Sequence, residues 1–228
     1  MTQSSQAPAQ ISARDLHRSF KMGDRTIEVL RGISVDITPG ESLFLSGASG
    51  AGKSTLLYTI AGLERPERGT VSFGGTDIYS QSERDLARLR NTKFGFIFQA
   101  YHLLPELTAI ENVMLPALIG GSAKESAAAN ALERVGLKER LQHLPAELSG
   151  GEQQRVAIAR SLINNPEVIF ADEPTGNLDS NTGRSIVELL LTLVREQSKT
   201  LVVVTHDASL ARRGDRQLEI HDGQIVGS

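Results

Sequence analysis

The sequence contains no cysteine among its 228 residues. This absence excludes disulfide bonds, thiolate metal ligands and thiol nucleophiles, and it is in keeping with a reducing compartment. Large excess charge is missing too, because 24 lysines and arginines against 27 aspartates and glutamates give a formal net charge of −3. Since binding through bulk electrostatics needs a strongly basic chain, we expect no nucleic-acid partner.

Long apolar runs are also missing, and no stretch approaches the roughly 18 residues that a membrane-spanning helix requires. Residues 1–10 lack the basic start and apolar segment of a secretory signal, and their polar composition predicts a short disordered tail. We therefore expect a soluble, cytoplasmic chain whose folded domain covers residues 11–228. Any membrane role then requires a separate partner chain.

Short apolar runs of strand length alternate with patterns of helical spacing. This alternation predicts an α/β fold with a mostly parallel sheet covered on both faces. An alternating stretch before Gly74-Gly75 adds an antiparallel hairpin. Residues 100–165 are mostly helical in pattern, which predicts a helical subdomain inserted between core segments 11–99 and 166–228. The predicted buried strands lie at residues 43–45, 94–98, 168–171 and 201–204.

Two helix starts carry the S-x-x-E spacing of a capping box. They are Ser122 with Glu125, ahead of an alanine-rich helix, and Ser149 with Glu152. The pattern predicts that each serine caps its helix while the glutamate reaches back to the serine.

A glycine-rich stretch between a buried strand and a helix matches G-x-x-x-x-G-K-[ST] at every fixed position. Glycines allow backbone N–H groups to curl around phosphate oxygens, and the helix start adds positive potential. Lys53 contributes a charge for the β- and γ-phosphates, and Ser54 offers a hydroxyl to Mg²⁺. The predicted phosphate-binding stretch is Gly47, Ala48, Ser49, Gly50, Ala51, Gly52, Lys53, Ser54 and Thr55.

Polar side chains follow three further predicted strands. Asp172 and Glu173 end one of them, His206 ends another, and Gln99 ends a third. Because the carboxyl ends of parallel strands meet in the ligand crevice of an α/β sheet, we expect these groups near the phosphates. Asp172 would hold Mg²⁺, and Glu173 would orient and polarise an attacking water.

Gly150 and Gly151 stand directly after the predicted cap Ser149. Glycine in a helical turn costs of order 1 kcal/mol against alanine, so a plain helix start has no need of two. They are explained if an anion approaches the backbone closely. One ATP then has two helix-terminus sites about a hundred residues apart. The spacing alone leaves open whether one chain or a second copy supplies the second site.

Together these residues resemble the nucleotide-binding subunit of ATP-binding cassette (ABC) transporters, over nearly the whole chain after residue 10. The resemblance implies a P-loop NTPase (RecA-like) core with an antiparallel β piece and an inserted helical subdomain. It also implies an ATPase that pairs head to tail with a second copy on binding ATP. The motifs are GASGAGKST at 47–55, Gln99, LSGGEQQR at 148–155, VIFADEP at 168–174, NLD at 177–179 and His206.

The same resemblance assigns a role to each site residue. Glu173 is the expected catalytic base, and His206 holds water and γ-phosphate in line. Ser149, Gly150 and Gly151 of one copy meet the γ-phosphate held by Lys53 of the other, and Asp179 contacts across that interface. Phe20 stands where an aromatic stacks on adenine, although the family more often has tyrosine there. The expected catalytic residues are Glu173, His206, Lys53 and Gln99, and the expected Mg²⁺ site comprises Ser54, Gln99 and Asp172.

A groove for separate transmembrane permease subunits is implied in the segment after Gln99, with Tyr101 to Pro105 as the candidate. The alternative is that Leu103 and Leu104 are core residues, in which case both are buried. ADEPTGNLD at 171–179 and LLPELTAIENV at 103–113 are similar to the lipoprotein-releasing and macrolide-exporter group. Macrolide exporters usually fuse cassette and membrane domain, so we expect a stand-alone lipoprotein-release subunit at the cytoplasmic face of the inner membrane.

Three other functions compete with this one. A cell-division type ABC ATPase, acting as an ATP-gated regulator of a membrane partner, is the alternative, although Glu173 and His206 favour hydrolysis. ABC proteins of DNA or ribosomes usually have paired cassettes, coiled coils or basic patches, which this sequence lacks. A small-molecule P-loop kinase has no need of LSGGE.

Overall fold

The computed structural model describes residues 9–122 and 124–227. Most of the predicted tail, residues 1–8, lies outside the described residues. The strands are β1 Ile11–Met22, β2 Arg25–Ile37, β3 Ser42–Ser46, β4 Arg68–Phe73, β5 Thr76–Asp77, β6 Phe94–Phe98, β7 Val168–Asp172, β8 Thr200–Val204, β9 Arg216–His221 and β10 Gln224–Gly227. The helices are α1 Lys53–Ile60, α2 Glu83–Lys93, α3 Ala109–Ile119, α4 Glu125–Arg134, α5 Gly150–Leu162, α6 Ser180–Glu196 and α7 Ala208–Ala211. Short 3₁₀ turns lie at Ile78–Ser80, Lys138–Arg140 and Pro145–Glu147.

The strands of the described chain form two sheets. The larger has the order β10-β9-β3-β8-β7-β6 and is parallel from β9 to β6, with β10 added antiparallel at one edge. The smaller is antiparallel, in the order β2-β1-β4-β5, and it includes the hairpin predicted at Gly74-Gly75. The predicted α/β class with a mostly parallel sheet is thus confirmed.

The central strands β3, β7 and β8 are buried on both faces, which explains their continuous apolar sequence. Successive residues point to opposite sides of the sheet. Phe44 and Val203 belong to a core shared with α3, α4, α5 and α6, whereas Leu45 and Val204 belong to a core shared with α1 and the antiparallel sheet. Both faces are therefore covered, as the sequence pattern predicts.

The strand register aligns the carboxyl ends of the parallel strands. Phe98 pairs with Asp172, Asp172 pairs with Val204, and Val204 pairs with Leu45. These four residues form one row across the sheet, so the segments that follow them leave at a common edge. That edge carries the polar residues predicted for the site.

Helices α3, α4 and α5 lie between β6 and β7 in sequence, in the stretch predicted to be helical. Their apolar side chains, including Val113, Leu132 and Val156, join the same core as α6 and one face of the sheet. The division into a core and an inserted helical subdomain stays a prediction.

The two predicted capping boxes have different outcomes. The box at Ser149 is confirmed, with Ser149 as the N-cap of α5 and Glu152 reaching back to it. The box at Ser122 is wrong, because α4 begins after Lys124, which makes no side-chain cap bond. The Ser122 N–H instead donates to the Ala117 carbonyl, 2.9 Å away, so this serine closes the end of α3.

Candidate active site

The loop at 47–52 joins β3 to α1, as predicted, and its backbone needs glycine for steric reasons within the protein. Gly47 has φ of 141°, and a Cβ there would lie 2.1 Å from the Ile220 carbonyl oxygen. Gly52 is the N-cap of α1 and makes no side-chain cap bond, so the helix begins on bare backbone. A helix start of this kind suits an anion.

Lys53 is the first residue of α1 and is buried, with 6% of its surface exposed. Its Nζ donates to the carbonyl oxygens of Gly47 at 3.0 Å and Ala48 at 2.8 Å. A buried ammonium requires such partners, and these two hold the charge at the rim of the loop. The cation therefore lies against the backbone of the loop.

The side chains of Ser54 and Asp172 lie together where α1 meets β7. Ser54 Oγ donates to Asp172 Oδ1 at 2.8 Å. Hydroxyl and carboxylate oxygens are the donors that Mg²⁺ prefers, and it usually binds through one or two carboxylates together with substrate phosphates. The donor set at this point therefore fits Mg²⁺.

Tyr58 also belongs to this site, although it is not among the residues predicted from the sequence. Its hydroxyl donates to Asp172 Oδ2 at 2.5 Å. Burial, and then the hydrogen bond to Asp172, raise the pKa of the Tyr58 phenol above its ordinary value, so it stays a donor at neutral pH. The available signal was the spacing of four residues from Ser54, which places both side chains on one face of α1.

Glu173 and His206 meet at the ends of neighbouring strands β7 and β8. His206 Nδ1 lies 3.2 Å from Glu173 Oε2. Glu173 has φ of 44°, in the left-handed region that non-glycine residues rarely occupy, and its N–H donates to the Val204 carbonyl at 3.0 Å. Strained backbone of this kind often occurs at functional sites. The two side chains thus lie within hydrogen-bond distance at the same edge of the sheet.

Gln99 follows β6 at the same edge, and its side chain pairs with Asn177. Gln99 Nε2 donates to Asn177 Oδ1 at 3.2 Å, and Asn177 Nδ2 donates to the Gln99 carbonyl at 2.9 Å. The hydrogen bonds of Gln99 are thus directed to the segment before α6 rather than to Ser54 and Asp172. Asn177 belongs to the NLD motif, but no local pattern indicated that it pairs with Gln99.

Ser149 and the two glycines begin α5 at the surface. Ser149 is exposed, and Gly150 and Gly151 are partly exposed, so this helix start is open to a neighbouring molecule. The Glu152 carboxylate accepts from the Ser149 N–H at 2.9 Å and from its hydroxyl at 2.8 Å, and Arg140 Nε donates to it at 3.1 Å. These bonds, the Ser149 N–H first, lower the pKa of Glu152.

The structure supplies a second reason for Gly151. A Cβ at this position would lie 2.8 Å from Thr182 Cγ2 on α6. An approaching anion was the expected reason for this glycine, and packing between α5 and α6 within one chain also requires it.

Asp179 is exposed and caps α6, accepting from the N–H groups of Asn181 at 3.0 Å and Thr182 at 3.1 Å. Hydrogen bonds from Thr182 and Asn181 lower the pKa of Asp179. Within one chain this carboxylate therefore orients the start of α6. Its predicted contact across a dimer interface stays a prediction.

Phe20 lies on β1 and pairs in register with Ile27 of β2. Val29, two residues further along β2, packs against Gly52 of the loop. The Arg18 guanidinium lies 4.9 Å from the centre of the Phe20 ring, a cation–π contact. One face of the ring is thus covered by arginine, and the strand that pairs with β1 passes beside the loop.

An apolar groove of about 420 Å³ opens between α2, α3, α5 and β6. Phe96, Phe98 and His102 line it, and Ile119, which is 80% exposed, stands at its rim. Leu103 packs against the core, whereas Leu104 is 47% exposed. The alternative that both leucines are buried is therefore wrong for Leu104. No helix in residues 9–122 and 124–227 combines the length and apolarity of a membrane span.

A parallel sheet, a glycine loop before a helix, and a carboxylate at the end of another parallel strand that contacts this helix define a P-loop nucleoside triphosphatase. Comparison with known proteins narrows this class. The family model described as ABC transporter matches residues 30–176. The chain belongs to the ABC transporter family, and it is an ATP-binding, ATP-hydrolysing subunit of such a transporter.

Similar curated proteins match nearly the whole chain. The lipoprotein-releasing system ATP-binding protein LolD of Syntrophotalea carbinolica is 50% identical over 226 residues, covering 98% of this chain and 100% of that protein. The LolD protein of Shewanella frigidimarina is 49% identical, with coverage of 100% and 97%. A dimeric post-hydrolysis structure of the ATP-binding cassette MJ0796 bound to ADP and Pi superposes with a TM-score of 0.88 at 40% identity, covering 95% of this chain and 97% of that one. These findings confirm the predicted family, fold class and ATPase activity.

Proposed function

We propose that this chain is the ATPase of a lipoprotein-releasing transporter, peripheral to the cytoplasmic face of the inner membrane. The observation that carries the proposal is similarity over 94 to 100% of the chain to proteins named lipoprotein-releasing system ATP-binding protein LolD. The complete Glu173–His206 pair favours an ATPase that turns over, rather than a regulator that only binds ATP.

Two copies of the chain pair head to tail around two ATP molecules. The exposed start of α5 supports this arrangement, because Ser149 and the following N–H groups are open to a second molecule. In the pair, Ser149, Gly150 and Gly151 of one copy bind the γ-phosphate that Lys53 of the other copy holds. Asp179 lies beside this contact, and Phe20 stacks on the adenine.

Hydrolysis is carried out mainly by positioning and charge. The loop N–H groups and Lys53 hold the phosphates, while Glu173 accepts a proton from the attacking water. The new bond joins the water oxygen to the γ-phosphorus, the bond to the bridging oxygen breaks, and ADP and phosphate leave. Ser54 and Asp172 hold Mg²⁺, which when bound neutralises charge on the phosphate oxygens. His206 keeps Glu173 and the γ-phosphate aligned, and Gln99 lies at the same sheet edge, paired with Asn177.

The apolar groove receives a cytoplasmic helix of the transmembrane partner. Its lining from Phe96 and Phe98 and the exposed rim at Ile119 support this assignment, because exposed apolar surface of this kind marks an interaction site. Closure of the ATP-bound pair then moves the partner, and hydrolysis resets it.

The test uses the complex purified from membranes, with the partner identified by mass spectrometry. Ile119→Asp should abolish co-purification while leaving ATPase activity of the isolated chain intact. Val226→Asp is the matched control, since Val226 is 60% exposed on β10 at the opposite edge of the sheet. The wild-type complex in proteoliposomes should release a lipoprotein only with ATP. A complex that hydrolyses ATP and binds its partner but releases no lipoprotein contradicts the proposal.

A further inference from the structure

The Asp172 carboxylate is held through both oxygens by side chains of α1. Ser54 Oγ donates to Oδ1 at 2.8 Å and the Tyr58 hydroxyl donates to Oδ2 at 2.5 Å. A single hydrogen bond leaves a carboxylate free to rotate about its last torsion, whereas a second one on the other oxygen fixes its plane. Tyr58 therefore restricts the orientation that Ser54 alone would leave open.

The tyrosine ring is itself held in place. Its centre lies 6.4 Å from that of Phe98, with the planes inclined at 55°. Phe98 ends β6 and pairs in register with Asp172. The ring is therefore braced by the strand beside the carboxylate that its hydroxyl contacts, and the hydroxyl has little freedom to move elsewhere.

A tyrosine that only fills the core would behave differently. Tyr79 provides the comparison, since it is also half-buried near α1 and its hydroxyl donates to the backbone carbonyls of Thr59, at 2.6 Å, and Glu64. Backbone carbonyls satisfy a buried hydroxyl without involving the site. Tyr58 instead directs its donor to the residue proposed to bind Mg²⁺.

We propose that Tyr58 is a positioning residue that sets the orientation of Asp172 for Mg²⁺. The proposal rests on the metal role of Ser54 and Asp172 stated above, and it adds a residue that acts through Asp172 without touching the substrate. Loss of the hydroxyl leaves Oδ2 without its partner and the carboxylate less well oriented. We therefore expect the loss of the hydroxyl to lower metal affinity, whereas the rate at saturating metal should change little.

The test compares Tyr58→Phe with Tyr79→Phe, each of which removes one hydroxyl and keeps the ring. Tyr58→Phe should raise the Mg²⁺ concentration for half-maximal ATPase activity about three- to tenfold, with kcat at saturating Mg²⁺ within about twofold. Mn²⁺ binding in the presence of ADP, followed by electron paramagnetic resonance, should weaken by the same factor. Affinity for ADP in EDTA should not change, and Tyr79→Phe should leave all three measurements at the wild-type values.

Two further variants distinguish an incorrect Mg²⁺ site from an incorrect role of Tyr58. Tyr58→Leu removes ring and hydroxyl together, and it should match Tyr58→Phe in metal affinity while losing more thermal stability. Asp172→Asn tests the underlying site. If Asp172→Asn leaves metal binding unchanged, the proposed Mg²⁺ site fails. If Asp172→Asn weakens metal binding while Tyr58→Phe behaves like wild type or like Tyr79→Phe, the role of Tyr58 alone is overturned.

Discussion

His206 Nδ1 lies 3.2 Å from Glu173 Oε2, although the two residues are separated by 33 positions in the chain. Adjacent parallel strands β7 and β8 bring them together, because Asp172 and Val204 pair in register and each side chain follows its strand end by one or two residues. The contact holds the carboxylate in a fixed direction.

Replacing the Glu173 carboxylate with an amide should stop turnover, because an amide cannot accept the proton of the attacking water. Glu173→Gln should lower kcat by roughly a hundredfold or more, while ATP-dependent dimers persist. Steady-state phosphate release and size-exclusion chromatography with ATP measure the two effects. Glu188→Gln, which changes a surface glutamate paired with Arg213, is the control. Unchanged turnover in Glu173→Gln removes Glu173 as the base.

The caps at Ser149 and Thr108 allow an effect on helix stability to be distinguished from an effect on dimerisation. Both residues form complete capping boxes, at the starts of α5 and α3 respectively. Ser149→Ala and Thr108→Ala should each cost about 1 kcal/mol in urea unfolding, but only Ser149→Ala should weaken the ATP-dependent dimer. Measuring the dimer in the Glu173→Gln background preserves the ATP. Equal dimerisation by the two variants would argue against a role of Ser149 between copies.

Gly151 should resist a substitution that normally stabilises a helix. Glycine to alanine within a helix usually adds about 0.5 to 1 kcal/mol. Here the new Cβ would lie 2.8 Å from Thr182 Cγ2, so Gly151→Ala should lower the melting temperature. Adding Thr182→Ser removes the obstructing methyl group, and the double variant should recover the loss. A single variant more stable than wild type contradicts this packing argument.

Stability should depend on acid pH through Glu152. Its pKa is lowered below the ordinary 4.5 by the Ser149 N–H, the Ser149 hydroxyl and Arg140. Because the folded pKa lies below the unfolded one, the ionised group stabilises the fold above pH 4.5, and this contribution is lost as pH falls through the folded pKa. Glu152→Gln should therefore differ from wild type at pH 7 and converge with it below pH 4.5 in urea unfolding. A difference that does not shrink with acid excludes this ionisation as its cause.

Local patterns were sufficient for the strands and for the phosphate loop. Continuous apolar runs identified β3, β7 and β8, because the middle of a strand that is buried on both faces favours apolar residues at successive positions. The cap at Ser149 was predicted from Glu152 three residues later, since both bonds of a capping box form within one helical turn. The same pattern failed at Ser122, where the end of α3 uses the residue instead.

Partners that lie far apart in the chain were beyond the reach of such patterns. The Gln99–Asn177 pair and the Tyr58–Asp172 bond each join segments more than seventy residues apart. The four-residue spacing from Ser54 places Tyr58 on the same face of α1, but it does not show which side chain that face meets. That contact arises only when α1 is laid against β7.

By itself, the sequence determined the chemistry at this sheet edge: which groups accept protons, which carry charge, and which stretches of backbone are free of side chains. These properties belong to single residues and to neighbours within a turn or a strand. The tertiary structure decided which of those groups meet, because hydrogen-bond register between strands places Phe98, Asp172, Val204 and Leu45 in one row. It also decided that Gly151 must accommodate Thr182, a contact set by helix packing rather than by any local preference.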